Sequence, residues 1–303
     1  MVASIKDLIK KAKETEPLKL AVAAAGDAVV LESVSRAARD GIINPILIGD
    51  EEKIKTARAE LNQDFDAQVV SAKNNKESAA RAIEMIAEGK ADFPMKGQLS
   101  TKVILQALLN KEYGLRQEGL LSLISLIYLE KENRVVLMTD GGMNIAPDLN
   151  DKISIVNNAV TIARSIGIER PKVAPLAAVE KVNEKMPATL EAAMLSKMAD
   201  RGQIKHCEID GPLALDNAIS KSAAEHKGIS GDVAGNADIL LVPDIEAGNV
   251  LYKAWIFYAG LSSASLVFGA KVPLVLTSRA DSPETKYNSI ALAKVVTSGL
   301  ENL

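Results

Sequence analysis

Apolar positions along this chain change period again and again, from short branched runs to helical spacing and back. Residues 18–25 form an apolar run of strand length, and a helix is predicted over residues 28–40. Further strands are expected at 44–49, 68–71, 135–139, 172–178, 204–209, 239–242 and 273–276, with a short segment at 92–97. Helices are expected at 77–88, from Ser100-Thr101 to 109, and at 153–166, 190–199 and 213–225. Asp50-Glu51-Glu52 opens another, with acids in its first turn. Residues 120–129, an uncharged run dominated by Leu, Ile and Ser, read as buried sheet or helix.

Strand and helix alternating over the whole length predict an α/β protein with largely parallel sheet. At 303 residues the chain is long for one core, so two domains are expected. Charges cluster at 130–134 between two apolar runs, which places a boundary there. If the final helix returns to the first domain, residues 1–132 with 279–303 form one α/β domain and 133–278 the other. The active site is then expected in the cleft between them.

The 48% hydrophobic and 25% charged content is that of an ordinary globular protein. A net charge of -3 with scattered Lys and Arg gives no sign of a nucleic-acid footprint, yet leaves room for a local basic pocket holding a phosphorylated small molecule. One cysteine, Cys207, excludes an intramolecular disulfide, and two histidines, His206 and His226, argue against a zinc site. His206 and Cys207 are expected on opposite faces of a strand, with Cys207 in the core. The N-terminal run is amphipathic and lacks a signal-peptide pattern, so a cytoplasmic location is expected. Residues 254–270 carry no charge, but Gly260, Gly269 and the flanking Lys253 and Lys271 fit a buried helix and turn, or a subunit interface, better than a membrane span.

The polar chemistry gathers where strands end. Ser278-Arg279 follows the 273–276 run, and Asp281-Ser282-Pro283-Glu284 reads as a helix start, with Pro at the first helical position. Backbone N–H groups, the positive helix end and a guanidinium fork would converge on an anion there. The competing reading is a surface ion pair of Arg279 with Asp281 or Glu284. Four more loops carry polar residues: 95–101 with Lys96, Ser100 and Thr101; 139–149 with Asp140, Asn144 and Asp148; 209–213 with Asp210; and 242–253 with Asp244, Asn249 and Lys253. Each alone can be turn chemistry or a helix cap. All lie after strands, where open α/β sheets bind ligands, and together they favour one shared site. No Gly-x-Gly-x-x-Gly, phosphate-loop or Gly-x-Ser-x-Gly motif is present, which weakens dinucleotide, ATP-dependent and serine-nucleophile chemistry.

Asp210-Gly-Pro-Leu213, the run from Val233 through Pro243-Asp-Ile-Glu-Ala-Gly-Asn-Val-Leu-Tyr-Lys253, and Ser278-Arg279 resemble the phosphate acetyltransferase and phosphate butyryltransferase family. The resemblance spans nearly the whole chain. Met95-Lys96-Gly97 and the loop from Thr139 to Asp148 look like the butyryltransferase branch. The resemblance implies reversible transfer of a short acyl group between coenzyme A and inorganic phosphate. It also implies a two-domain three-layer α/β/α fold like that of isocitrate and isopropylmalate dehydrogenases, and a cytoplasmic homo-oligomer, usually a dimer. The resemblance further implies coenzyme A and phosphate as substrates, with no cofactor or metal, no nucleic acid and no membrane expected.

A planar arginine fork suits phosphate, so Arg279 is the expected phosphate ligand, with Ser278 donating to the developing oxyanion or the leaving sulfur. The acetyltransferase pattern has an aspartate seven residues after the serine, where this chain has Thr285. Asp281 and Glu284 are therefore both candidates for the base. An arginine of the acetyltransferases in the helix after Ser100-Thr101 is also missing, with Gln106 nearest, and Lys96 is the expected substitute. Lys96, Ser100, Thr101, Asp140, Asn144, Asp210, Asp244, Asn249 and Lys253 complete the expected substrate-binding set. Three alternatives stand: an acetyl-CoA enzyme, a decarboxylating dehydrogenase using Asp140, Asp210 and Asp244 with metal and NAD, and a non-catalytic coenzyme A or acyl-phosphate binding protein.

Overall fold

A computed structural model describes residues 2–61, 64–278, 280–301 and 303. The chain divides into two compact units, one built from residues 5–118 and 263–301, the other from 119–262 together with residues 2–4 and 303. The first opens with helix α1 (Ile5–Ala12) and then alternates β1 (Leu18–Ala23), α2 (Ala28–Arg39), β2 (Ile43–Gly49), α3 (Glu51–Ala59), β3 (Gln68–Ser71), α4 (Asn75–Ala87), β4 (Phe93–Lys96) and α5 (Thr101–Leu108). Its strands lie in the order β3-β2-β1-β4, all parallel, with Ala23 opposite both Ile48 and Lys96. Leu20, Val22, Leu47 and Phe93 are fully buried, as expected of parallel strands covered on both faces.

Every helix after a strand therefore starts at the carboxyl edge of this sheet, and the local sequence fixes where. Asp27 accepts from the Val30 N–H, Asp50 from Glu52 and Lys53, and Asn74 from Lys76 and Glu77. Each such cap contributes about 1 kcal/mol. Ser100 stands at the start of α5 without a side-chain cap bond.

The second unit contains β5 (Ser122–Leu129), β6 (Arg134–Thr139), α6 (Leu149–Ser165), β7 (Lys172–Pro175), α7 (Pro187–Asp200), β8 (Glu208–Ile209), α8 (Leu215–Ile219), α9 (Lys221–His226), β9 (Ile239–Leu241) and α10 (Ile245–Lys253). The strands run β5-β6-β9-β7-β8, with β5 antiparallel to β6 and the rest parallel. The chain then returns to the first unit through β10 (Ser263–Phe268) and α11 (Pro283–Leu300), which packs on α1, α2 and β10. Residues 285–296 of α11 are all buried, so this helix is an axis of its unit rather than a surface element.

The α/β architecture is the one expected, while several local features differ. The compact units change over at 118/119 and 262/263, earlier than the expected 132/133 and 278/279. Residues 122–129 form a ladder with β6, for example Leu126 opposite Leu137, which fixes them in the second unit. Val275 donates to the Pro94 carbonyl and accepts from the Lys96 N–H, both at 3.0 Å, which ties the stretch around it to β4 of the first. Residues 273–276 make single bridges, Leu274 to Val267 and Val275 to Met95, rather than a strand. The expected helix over 213–225 is broken at Ser220, whose hydroxyl caps α9. The expected strand over 204–209 is reduced to Glu208–Ile209, because His206 adopts φ +62° and turns the chain. Cys207 is buried, as expected, and burial pushes its thiol pKa up to about 11. Residues 254–258 form a π-helical turn ahead of β10, and no helix among the described residues is long and apolar enough to cross a membrane.

Candidate active site

A cavity of about 430 Å³ opens at the carboxyl edge of the first unit's sheet. Its wall is drawn from several strand-to-helix loops: Asp27, Lys53, Asn75, Lys96 and Gln98, together with Thr277, Ser278 and Lys286. Three lysines against one aspartate make this an anion-seeking surface, and the N-termini of α2 and α4 add their dipoles. The Asn75 amide donates to the Gln98 carbonyl at 3.2 Å and ties two of the loops together.

Lys96 is buried at the end of β4, and the chain turns away immediately after it. The Gly97 N–H donates to the Ala23 carbonyl and the Gln98 N–H to the Ala24 carbonyl, both at 2.8 Å. A Cβ on Gly97 would sit 2.3 Å from the Ala24 carbonyl oxygen, so only glycine permits this approach. Gly97→Ala is expected to destabilise the protein by about 1–3 kcal/mol or more, read as a lower urea midpoint. An unchanged midpoint would mean that the loop relaxes freely.

Ser278 sits in a tight turn closed from several sides. Its N–H donates to Asp281 Oδ2 at 2.7 Å, and its carbonyl accepts from the Asp281 N–H at 3.2 Å. Its hydroxyl oxygen accepts from the Ala280 N–H at 3.3 Å. The Lys286 ammonium donates to the Ser278 carbonyl at 3.1 Å and to the Asp281 carbonyl at 2.5 Å. Burial raises the Asp281 pKa above the ordinary carboxylate value, opposed by the Ser278 N–H and by the charges of Lys286 and Lys96. Burial likewise lowers the pKa of Lys286, against the pull of Asp281 and Asp27. The Ser282 hydroxyl caps α11 by accepting from the Thr285 N–H at 3.1 Å.

Glu284 is engaged elsewhere. Its carboxylate pairs with Arg36 of α2, whose guanidinium lies 3.9 Å above the Tyr287 ring, and the Tyr287 hydroxyl donates to Asp40. Neither Glu284 nor Asp281 is among the residues lining the cavity; more than half of the Glu284 side chain is exposed, whereas Asp281 is buried. Arg279 lies outside the described residues. Ser100 is exposed and Thr101 half-buried at the start of α5, and neither lines the cavity.

The remaining expected residues belong to the second unit, where they hold two loops in place. Asp140 is buried after β6 and accepts the N–H groups of Gly142, Met143 and Asn144 at 2.9, 3.0 and 3.2 Å, as well as the Asn144 amide at 2.6 Å. Burial raises its pKa against these donors. The Asn144 amide also donates to the Leu121 carbonyl at 2.9 Å. Asp244 caps α10 through the Ala247 N–H at 2.8 Å, and the Asn249 amide donates to the Gly141 carbonyl at 3.2 Å. A Cβ on Gly248 would lie 2.7 Å from the Gly141 Cα, so the Ala-Gly-Asn run lets α10 press directly on the Asp140 loop. Asp148 caps α6 in a capping box with Asp151. Asp210 is half-buried after β8 with its pKa raised by burial, and Lys253 is exposed at the end of α10. Asp140, Asp210 and Asp244 are not assembled into a metal-holding set; no group of three His, Cys, Asp or Glu of that kind occurs among the described residues.

The structure thus brings together Lys96 and Ser278, with Asp281 directly behind the serine turn. Asp27, Lys53, Asn75 and Lys286 escaped the sequence reading. For Asp27 and Asn75 a signal existed, since each stands where a helix opens after a strand. Lys286 had none, because a lysine one turn into a helix reads as surface.

Sequence and fold comparisons with known proteins give this chain its relatives. The model of the Phosphate acetyl/butaryl transferase family matches residues 4–81 and 70–294. The chain is 50% identical over 297 residues to a phosphate butyryltransferase of Clostridium acetobutylicum, covering 98% of this chain and 99% of that one. It is 47% identical over 277 residues to a phosphate acetyltransferase of Thermotoga maritima, covering 91% and 94%. Among solved structures, a branched-chain phosphotransacylase from Enterococcus faecalis V583 superposes with a TM-score of 0.82 at 31% identity, covering 92% of this chain and 99% of that one. The chain belongs to the phosphate acetyl/butyryl transferase family. It is an acyltransferase with the two-domain α/β/α fold of that family, and the decarboxylating-dehydrogenase alternative is set aside.

Proposed function

We propose that the enzyme moves a short acyl group, butyryl or similar, reversibly between coenzyme A and inorganic phosphate. The observation that carries this reading is the cavity wall, where Ser278 stands among Lys96, Lys53 and Lys286. A phosphate oxygen attacks the thioester carbonyl carbon, the C–S bond breaks, and the proton of the phosphate hydroxyl ends on the sulfur of coenzyme A. Positioning supplies most of the rate, because both reactants are held rather than activated covalently. Arg279 and Lys96 hold the phosphate, and the Ser278 hydroxyl donates to the developing oxyanion or leaving sulfur.

We assign the base to Asp281. Its burial beside Ser278 and its raised pKa support that choice over Glu284, which is paired with Arg36. A carboxylate whose pKa is raised by burial is the stronger base towards the coenzyme A thiol. The butyryl preference rests on the 50% identical relative, while the 47% identical acetyltransferase keeps acetyl-CoA as the second reading. A cytoplasmic homodimer belongs to the same proposal. Thiol release from butyryl-CoA and acetyl-CoA, each with and without phosphate, tests it. Release should require phosphate, run faster with butyryl-CoA, and show a raised KM for phosphate in Arg279→Ala. Release indifferent to phosphate would replace acyl transfer with thioester hydrolysis.

A further inference from the structure

Two lysines of α11 are buried, and they differ in what they face. Lys294 is 0% exposed, and its ammonium is taken by the carbonyl and hydroxyl of Thr15, which tie it to the segment after α1. Lys286 is 4% exposed and lines the cavity while bonding the carbonyls of Ser278 and Asp281. An ammonium has three N–H donors, so two can close the turn while the group still presents charge at the cavity wall. Closing a turn between two carbonyls does not itself require a charge, and burying an ammonium is costly. A full positive charge held here has a use if an anion is to be bound beside Ser278.

We propose that Lys286 is a positioning residue for acyl transfer, which holds the Ser278–Asp281 turn in shape and supplies the fixed positive charge against which phosphate is seated. This rests on the acyl-transfer reading above.

Lys286→Met keeps the length of the side chain and removes the charge, Lys286→Ala opens room for a small amine, and Lys294→Met is the comparison on the same helix. In the thiol-release assay, Lys286→Met should raise the KM for phosphate about tenfold or more, the loss expected for a charged hydrogen-bonding group, and change the KM for butyryl-CoA less than threefold. Added ethylammonium should restore part of the activity of Lys286→Ala. Lys294→Met should lower the thermal midpoint without moving the phosphate KM. A phosphate KM unchanged in folded Lys286→Met, or equal rises for both substrates without amine rescue, would overturn the proposal while leaving acyl transfer intact. Failure of both Lys286 variants to fold would also overturn it, since the lysine would then be structural only. Wild-type release that ignores phosphate would overturn the acyl-transfer reading and this proposal with it.

Discussion

Asp281→Asn is expected to lower kcat for butyryl-CoA formation from butyryl phosphate and coenzyme A by about 10²–10⁴-fold, the range for removing a general base. It should also remove the acidic limb of the pH profile. The sign follows from the burial of the carboxyl. As a base, Asp281 must be ionised, and burial raises its pKa above the ordinary value of about 3.9. The wild-type rate should therefore rise with pH through a step displaced upward from that value, and the asparagine enzyme, with nothing to ionise there, should lack it. The substitution is mild for the fold, because an amide oxygen can still accept the Ser278 N–H now bonded at 2.7 Å. The same linkage makes stability move the opposite way. A carboxyl whose pKa is raised on folding favours the native state most when protonated, so the wild type should gain stability relative to Asp281→Asn as pH falls through the folded value. An Asp281→Asn enzyme within threefold of wild type, with its acidic limb intact, would move the base elsewhere.

The choice between Asp281 and Glu284 shows where sequence reading stops. Both fall in one short run at the start of α11, and nothing local separates them. The partner that draws Glu284 away is Arg36, 248 residues distant in sequence and stacked on Tyr287. Such a pairing is created only when α11 packs on α2. The strands and most helices are legible because their signals are local: branched apolar runs, and helix starts such as Asp50-Glu51-Glu52 and Asp281-Ser282-Pro283-Glu284. The single bridges of Leu274 and Val275 were read as a full strand because the apolar pattern does not tell how many partners a segment finds. The broken helix at Ser220 was missed because serine is as acceptable inside a helix as at its cap on pattern alone.

The candidate site was half legible for the same reason. Lys96 and Ser278 are marked by strand ends, whereas Lys53 and Lys286 reach the cavity from helical positions that look solvated in sequence. The long Pro243–Lys253 motif carried the family resemblance, yet its described contacts fasten α10 to the Asp140 loop. Gly248 and Asn249 act there on Gly141. A motif can therefore identify a family through the residues that hold its loops rather than through those that touch substrate.

Ser278→Ala is expected to lower kcat by about 10²–10³-fold, the cost of removing one oxyanion-hole donor, with little change in either KM. The turn itself should survive. Its main bonds use the Ser278 backbone N–H and carbonyl, which alanine retains, and the hydroxyl oxygen contributes only the 3.3 Å contact from Ala280. Loss of that contact costs no more than about 1 kcal/mol of stability. Because the hydroxyl is assigned to charge that develops only as the carbonyl carbon becomes tetrahedral, its loss falls on the transition state and spares ground-state binding. The two directions of the reaction share that transition state, so kcat/KM for butyryl-CoA consumption and for butyryl phosphate consumption should fall by the same factor. Steady-state rates in both directions, with thermal midpoints alongside, check this. A raised KM at constant kcat would make Ser278 a substrate ligand instead.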